Sequence, residues 1–315
     1  MKRNLLLWMF MLPMFCALFG TGAKAQASNC SVDYSIIDFG GNINILSDQP
    51  ITTEGYALVY CPALAPGITA RVCVGMHPDT SPSRMQNDSD PSTFLNYGIF
   101  TDPEHTSPWL DPLKLRPYVD ITYVQPSVKM DAYALMPSGQ TGSTAGQYLD
   151  FVRPPFRYFI YATGDTPPSC DQQGYNRTPS YLTVVATITP NCTISATNMT
   201  FDPQTIITTD LLAQSALSVK CTNKAPYWVS LDNGQNFEKF GQRAMQSNAG
   251  NYIVYDLYSD SARTSRWGET KDMDTLPGKG TAAGQTLPVY GKIPKPSISP
   301  PAGPYTDRIT ATVNF

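Results

Sequence analysis

Hydrophobic and polar positions along this 315-residue chain change over in short runs rather than long periodic stretches. Ile253-Val254-Tyr255-Asp256-Leu257-Tyr258 and Ile309-Thr310-Ala311-Thr312-Val313 are β-branched and aromatic runs bounded by turn residues, which predicts strands. Residues 211–217 read as the best short helix or turn, and nothing else holds a helical period. The start differs. Lys2 and Arg3 precede an almost wholly apolar run over 5–19, and Ala23-Lys24-Ala25 then gives a small-x-small pattern. This predicts a secretory signal over 1–25, too short to be a comfortable membrane span. About 290 residues remain, a length that suits two domains.

The chain repeats itself. Cys30 and Phe39 are answered by Cys192 and Phe201, and Cys61 by Cys221. Ser83-Arg84-Met85-Gln86-Asn87 is matched with Gln242-Arg243-Ala244-Met245-Gln246, residues 95–102 with 253–260, and Trp109 with Trp267. Ala145-Gly146-Gln147 is matched with Ala283-Gly284-Gln285, and each half closes with a tyrosine and a β-rich run, 181–189 and 305–315. The order of the series predicts two homologous β-sandwiches, 26–190 and 191–315, with a boundary near Pro190. On this alignment Trp109 to Tyr181 spans 72 residues and Trp267 to Tyr305 spans 38, so the first half carries 34 additional residues, read as loops or hairpins. Gln125-Pro126-Ser127 is the expected hairpin turn among them.

Cysteine and charge narrow the setting. Six cysteines remain once Cys16 leaves with the signal, an even number that reads as disulfides in an exported protein. The repeat makes Cys30–Cys61 and Cys192–Cys221 equivalent, and Cys73 then pairs with Cys170 by elimination. No C-x-x-C pair occurs and the only histidines are His77 and His105, which disfavours a metal site; no cofactor is expected. Charged residues are 15% of the chain, and the mature part keeps 19 basic against 25 acidic side chains. So mild an acidity disfavours a nucleic-acid partner. No nucleophile elbow, phosphate-binding loop or EF-hand spacing is present, so no catalytic residue is assigned and an enzyme is not expected.

The second half resembles a spore coat protein U domain, the subunit of archaic (Csu-type) chaperone–usher pili. The landmarks are Cys192 and Phe201, Val219-Lys220-Cys221-Thr222, Leu231-Asp232-Asn233-Gly234, Arg243-Ala244-Met245, Trp267-Gly268, Val289-Tyr290-Gly291-Lys292-Ile293-Pro294 and Tyr305-Thr306-Asp307. The first half fits more loosely, with Leu110 in place of the glycine after Trp109. Two such domains look like the two-domain tip adhesin of these pili. The resemblance implies an all-β fold of two tandem immunoglobulin-like sandwiches, the C-terminal one an incomplete pilin fold awaiting a donor strand. It implies as partners a periplasmic chaperone, an outer-membrane usher and the N-terminal donor strand of the next subunit. It places the groove beside residues 309–315, with Ile309, Ala311, Val313 and Phe315 as the acceptor strand. Only Gln26-Ala27-Ser28-Asn29 precede Cys30, too few to donate a strand of about five residues, which argues for the tip position.

Binding is expected on the added loops of the first half. Leu113, Leu115, Tyr118, Tyr123, Val124, Val128 and Tyr175 stand near turns and are the candidate surface-binding residues. By the resemblance they would hold the pilus tip of a Gram-negative bacterium to abiotic or host surfaces and support biofilm formation. The rival expectation is a non-adhesive coat or pilus adaptor protein built from the same domains.

Overall fold

The computed structural model describes residues 29–76, 83–109, 117–177 and 181–315. The expected export signal, His77, Leu113 and Leu115 lie outside these residues. The first sandwich is built from β1 (Ser31–Tyr34), β2 (Ile37–Asp38), β3 (Ile51–Tyr60), β4 (Ile68–Val74), β5 (Ser83–Asn87), β6 (Phe94–Phe100), β7 (Tyr118–Thr122), β8 (Ser127–Met136), β9 (Gly146–Val152), β10 (Phe156–Ala162), β11 (Tyr175–Arg177) and β12 (Leu182–Ile188). The second follows with β13 (Cys192–Ala196), β14 (Leu211–Cys221), β15 (Pro226–Leu231), the single-turn α1 (Phe237–Phe240), β16 (Ala244–Ser247), β17 (Tyr252–Val254), β18 (Asp256–Tyr258), β19 (Leu276–Lys279), β20 (Gln285–Ile293), β21 (Tyr305–Thr306) and β22 (Ala311–Asn314).

One sheet of the first sandwich runs β1-β3-β8-β6-β5-β9-β12-β2 and the facing one β11-β10-β4-β7. The long sheet nearly closes on itself. Ser35 N still donates to Tyr56 O of β3, but Phe39 N donates to Val185 O of β12, so the chain changes partners within a few residues. Strand patterning follows burial. In β12 the side chains of Leu182, Val184, Ala186 and Ile188 point into the core and Thr183, Val185 and Thr187 are half-exposed. In β10, Phe156, Arg157, Tyr158 and Phe159 are all buried, because both faces of this strand are covered. The outer cover is the stretch around Cys170, tied down by the Cys73–Cys170 disulfide and by Arg157, which donates to Cys170 O at 3.4 Å and Gln172 O at 2.6 Å.

The second sandwich repeats the scaffold of this plan without a counterpart of β12 among the described strands. Its sheets run β13-β14-β20-β18, β17-β16-β21 and β19-β15-β22. Matching partners equates β3–β8 with β14–β20, β4–β7 with β15–β19, β5–β9 with β16–β21, and β4–β10 with β15–β22. Side chains agree: Trp109 Nε1 donates to Val74 O at 2.9 Å and Trp267 Nε1 to Val229 O at 2.8 Å. Cys30–Cys61 and Cys192–Cys221 link first strands to their neighbours, with sequence separations of 31 and 29.

Several expectations are corrected. Residues 211–217 are not helical but open β14; Leu212 and Gln214 face solvent while Leu211, Ala213 and Ser215 are half-buried, and pairing to β13 and β20 overrides the helix propensity of Leu and Ala. Gln125-Pro126-Ser127 does not turn a hairpin. The turn is Tyr123-Val124, closed by Gln125 N donating to Thr122 O at 3.2 Å, and it carries the chain from one sheet to the other. Arg84 does not answer Arg243. Met85 pairs with Leu95 as Met245 pairs with Ile253, which puts Ser83 in the place of Arg243. Nor do 181–189 answer 305–315: β12 lies between β9 and β2, whereas β22 pairs with β15. Likewise Ala145-Gly146-Gln147 opens β9 while Gln285 opens β20, the partner of β8 in the plan. Residues 163–189 thus come after the strands that the two sandwiches share, and β7 and β8 belong to the shared scaffold.

Candidate functional site

An open groove runs along the second sandwich. One wall is residues 196–207, which carry no strand pairing beyond β13, and the other is 303–311. Leu217, Leu231, Tyr255, Leu257 and Val289 form part of its floor, continued by Met245, Ile253 and Ile293. Two connected depressions of about 470 and 450 Å³ share Met199, Phe201, Met245, Tyr305 and Thr306. Met199 and Phe201 lean on Gly291 of β20, where a side chain would collide with both. Leu211, Met245, Ile253 and Ile309 are left only half-buried. Each apolar side chain seated here would contribute about 1.5–3 kcal/mol on leaving water.

The polar groups along this wall are already satisfied. Asp307 accepts from Tyr255 Oη at 2.8 Å, from Gln235 N at 3.0 Å and from Arg308 N at 2.8 Å. Burial, and then the hydrogen bond to Asp307, pushes the Tyr255 phenol well above its ordinary value. Tyr305 Oη donates to Pro301 O at 2.8 Å. The groove therefore offers an apolar floor and backbone edges, and Asp202 on the opposite wall adds a carboxylate to its lining. Of the expected acceptor residues, Ile309 and Ala311 line it, while half-buried Val313 faces Val229 in the β15–β22 pair and Phe315 is exposed, both outside its lining.

The expected surface-binding residues are dispersed. Val124 is 87% exposed and Tyr123 59%, at the turn between β7 and β8. Tyr118 is exposed at the other end of β7, its ring 4.0 Å beneath the Arg71 guanidinium, which also binds Asp120 through two hydrogen bonds. Tyr175 is exposed on β11, across the sheet, stacked on Tyr158 at 5.2 Å. Val128 is half-buried against the core. Tyr56, Leu58 and Tyr60, which were not singled out from sequence, line the solvent face of β3 at 38%, 38% and 44% exposure. Their signal is that Tyr56-Ala57-Leu58-Val59-Tyr60 is apolar at both parities, so one face of the strand must show apolar side chains.

Register fixes where these groups stand. Ser127 of β8 pairs with Tyr60, so the Tyr123-Val124 turn adjoins Tyr60. The other end of β8 leads into the 137–145 loop, where Asn223 of the second sandwich donates to Gly142 O at 2.6 Å. Ten residues of β8, at about 3.3 Å each, separate the two ends. The apolar turn is thus at the end of the first sandwich far from the second. Among the described residues no group of three or more side chains is arranged to hold a metal ion.

The profile of the spore coat protein U domain matches this chain twice, over residues 17–153 and 178–312. The chain belongs to that family. Protein U of Myxococcus xanthus is 31% identical over 126 residues, spanning 37% of this chain and 69% of that protein. Among solved structures, the chaperone–tip adhesion subunit pre-assembly complex of the archaic chaperone–usher Csu pili of Acinetobacter baumannii matches 91% of this chain and 100% of its own, with 19% identity and a TM-score of 0.51. The CupB6 tip adhesin of Pseudomonas aeruginosa matches 91% and 94% at 10% identity and a TM-score of 0.36. The chain thus has a fold similar to that of the tip adhesion subunit of the Csu pili.

Proposed function

We propose that this chain is the tip adhesin of an archaic chaperone–usher pilus. Residues 26–190 form the adhesin domain and 191–315 the pilin domain, with 1–25 an export signal. A periplasmic chaperone holds the open sandwich, an outer-membrane usher passes it outward, and the donor strand of the next subunit replaces the chaperone. The chain then sits at the pilus tip on the cell surface, where its apolar end attaches to abiotic or host surfaces and promotes biofilm formation. The observation that carries this reading is the groove, open in the second sandwich at the place β12 fills in the first.

The test has two arms. Periplasmic expression with and without a pilus chaperone is expected to give soluble protein only as a one-to-one complex; a stable free monomer would remove the assembly mechanism. Pili carrying Val124→Asp with Tyr123→Ser are expected to assemble normally but to lose most attachment to a hydrophobic surface. Undiminished attachment would favour a coat or adaptor protein instead.

A further inference from the structure

We infer that the first sandwich carries, in β12, the template for the strand that fills the second. This rests on the groove being an acceptor site and goes on to specify its occupant. The equivalence is set by side chains at the groove wall. Tyr97 Oη donates to Asp150 at 2.8 Å as Tyr255 Oη does to Asp307. Tyr148 Oη donates to Thr144 O at 2.7 Å as Tyr305 Oη does to Pro301 O at 2.8 Å, each four residues back. Gly146 and Gly303, two positions before those tyrosines, both take positive φ, 138° and 150°. Residues 146–152 and 303–309 are therefore the same wall.

The occupant of that wall is visible in the first sandwich. Leu182, Val184, Ala186 and Ile188 pair antiparallel with Val152, Asp150, Tyr148 and Gly146. On its other edge β12 runs parallel to residues 37–43: Val184 pairs with Ile37 and Ile188 bridges to Ile43. Transferred to the second sandwich, the incoming strand runs antiparallel to 303–309 and parallel to the wall containing Phe201, the counterpart of Phe39. Its inward side chains fall opposite Ile309, Asp307, Tyr305 and Gly303. Tyr148 is fully buried, and the residue paired with it is Ala186, the smallest of the four inward residues, as expected beside so large a ring. The occupant is thus an apolar strand of Leu-x-Val-x-Ala-x-Ile pattern whose one obligatory small residue sits opposite Tyr305.

The test appends Leu-Thr-Val-Val-Ala-Thr-Ile to the full chain after Phe315, through a flexible linker as long as residues 163–181, the connection that serves β12. Hydrogen exchange is followed at the amides of Phe201 and of 305–309. Seating the strand is expected to raise their protection at least about a hundredfold. Tryptophan in place of the appended alanine, or the same sequence shifted by one residue, is expected to cost about tenfold or more of that protection. Equal protection by all three strands would overturn the register while leaving the groove as an acceptor. No protection by any of them would overturn the acceptor reading itself.

Discussion

The two sandwiches share a plan and differ in completeness. Among the described residues the first gathers 31 buried side chains into one core with eight half-buried ones around it. The second gathers eleven buried side chains and leaves twelve half-buried. In the first, β12 covers Tyr148 and pairs with both β9 and β2, while the corresponding Tyr305 and Phe201 are only half-buried on facing walls of the groove. A sandwich missing one interior strand keeps its scaffold hydrogen bonds but loses the cover over its floor.

The largest test of that contrast is the tether of β12. The Cys73–Cys170 bridge closes 97 residues and fixes the connection leading to β12. Replacing both cysteines by alanine is expected to destabilise the first sandwich by about 4–5 kcal/mol in the chain-entropy view, read from urea unfolding under oxidising conditions. No change would mean that β12 needs no such guidance.

Next in size is Arg243, fully buried in the second sandwich. It donates to Asp232 O, to Leu231 O and Trp267 O at 3.0 and 2.8 Å, and to Asp256 Oδ1 at 2.6 Å. Arg243→Ala leaves those carbonyls without a donor and is expected to cost about 3 kcal/mol or more. Ser83→Ala, at the matching place in the first sandwich, is expected to cost about 1 kcal/mol. If the two losses were equal, the buried Arg243 would contribute no more to the second sandwich than Ser83 does to the first.

Smaller effects compare like with like. Tyr97→Phe and Tyr255→Phe each remove a donor from a wall carboxylate, at about 1–2 kcal/mol apiece in urea unfolding. A loss confined to Tyr97 would show that the open groove lets water serve Asp307. Smallest is the contact between sandwiches, Lys224 Nζ to Asp90 at 2.8 Å. The hydrogen bonds from Lys224 and Ser92 hold the Asp90 carboxyl down to about 2, below its ordinary 3.8. Its folded value lies below its unfolded one, so the contribution is full above 3.8 and fades as pH falls through about 2. The exchange of nearby Asn223 should rise over that acid window and with salt; indifference to both would remove the ion pair from the interface.

Strand composition, the repeat and the cysteine pairs were legible in the sequence because they are local or ordered along the chain. Cys30–Cys61 and Cys192–Cys221 follow from the repeat, and the structure shows both. What a strand pairs with was not legible. Residues 181–189 and 305–315 share a tyrosine and β-branched residues, yet one begins the closing strand of a sandwich and the other crosses from one sheet to the next. Of the expected binding residues, Tyr123 and Val124 stand at the far end, Val128 turns inward, and Tyr56, Leu58 and Tyr60 went unnoticed because apolar strand residues are by default assigned to the core.

The route of the chain out of β12 has a mechanical consequence. Only Thr189, Pro190 and Asn191 separate Ile188 from Cys192, whose disulfide leads straight into β14. Tension between an anchored far end and a pulled second sandwich would enter along the axis of β12. Its bonds to β9 on one side and β2 on the other would then be sheared together instead of unzipped singly. Single-molecule pulling would register this as a high rupture force for the first sandwich, one that falls if the load is instead attached at the turn between β5 and β6, so that neighbouring strands are peeled apart one bond at a time.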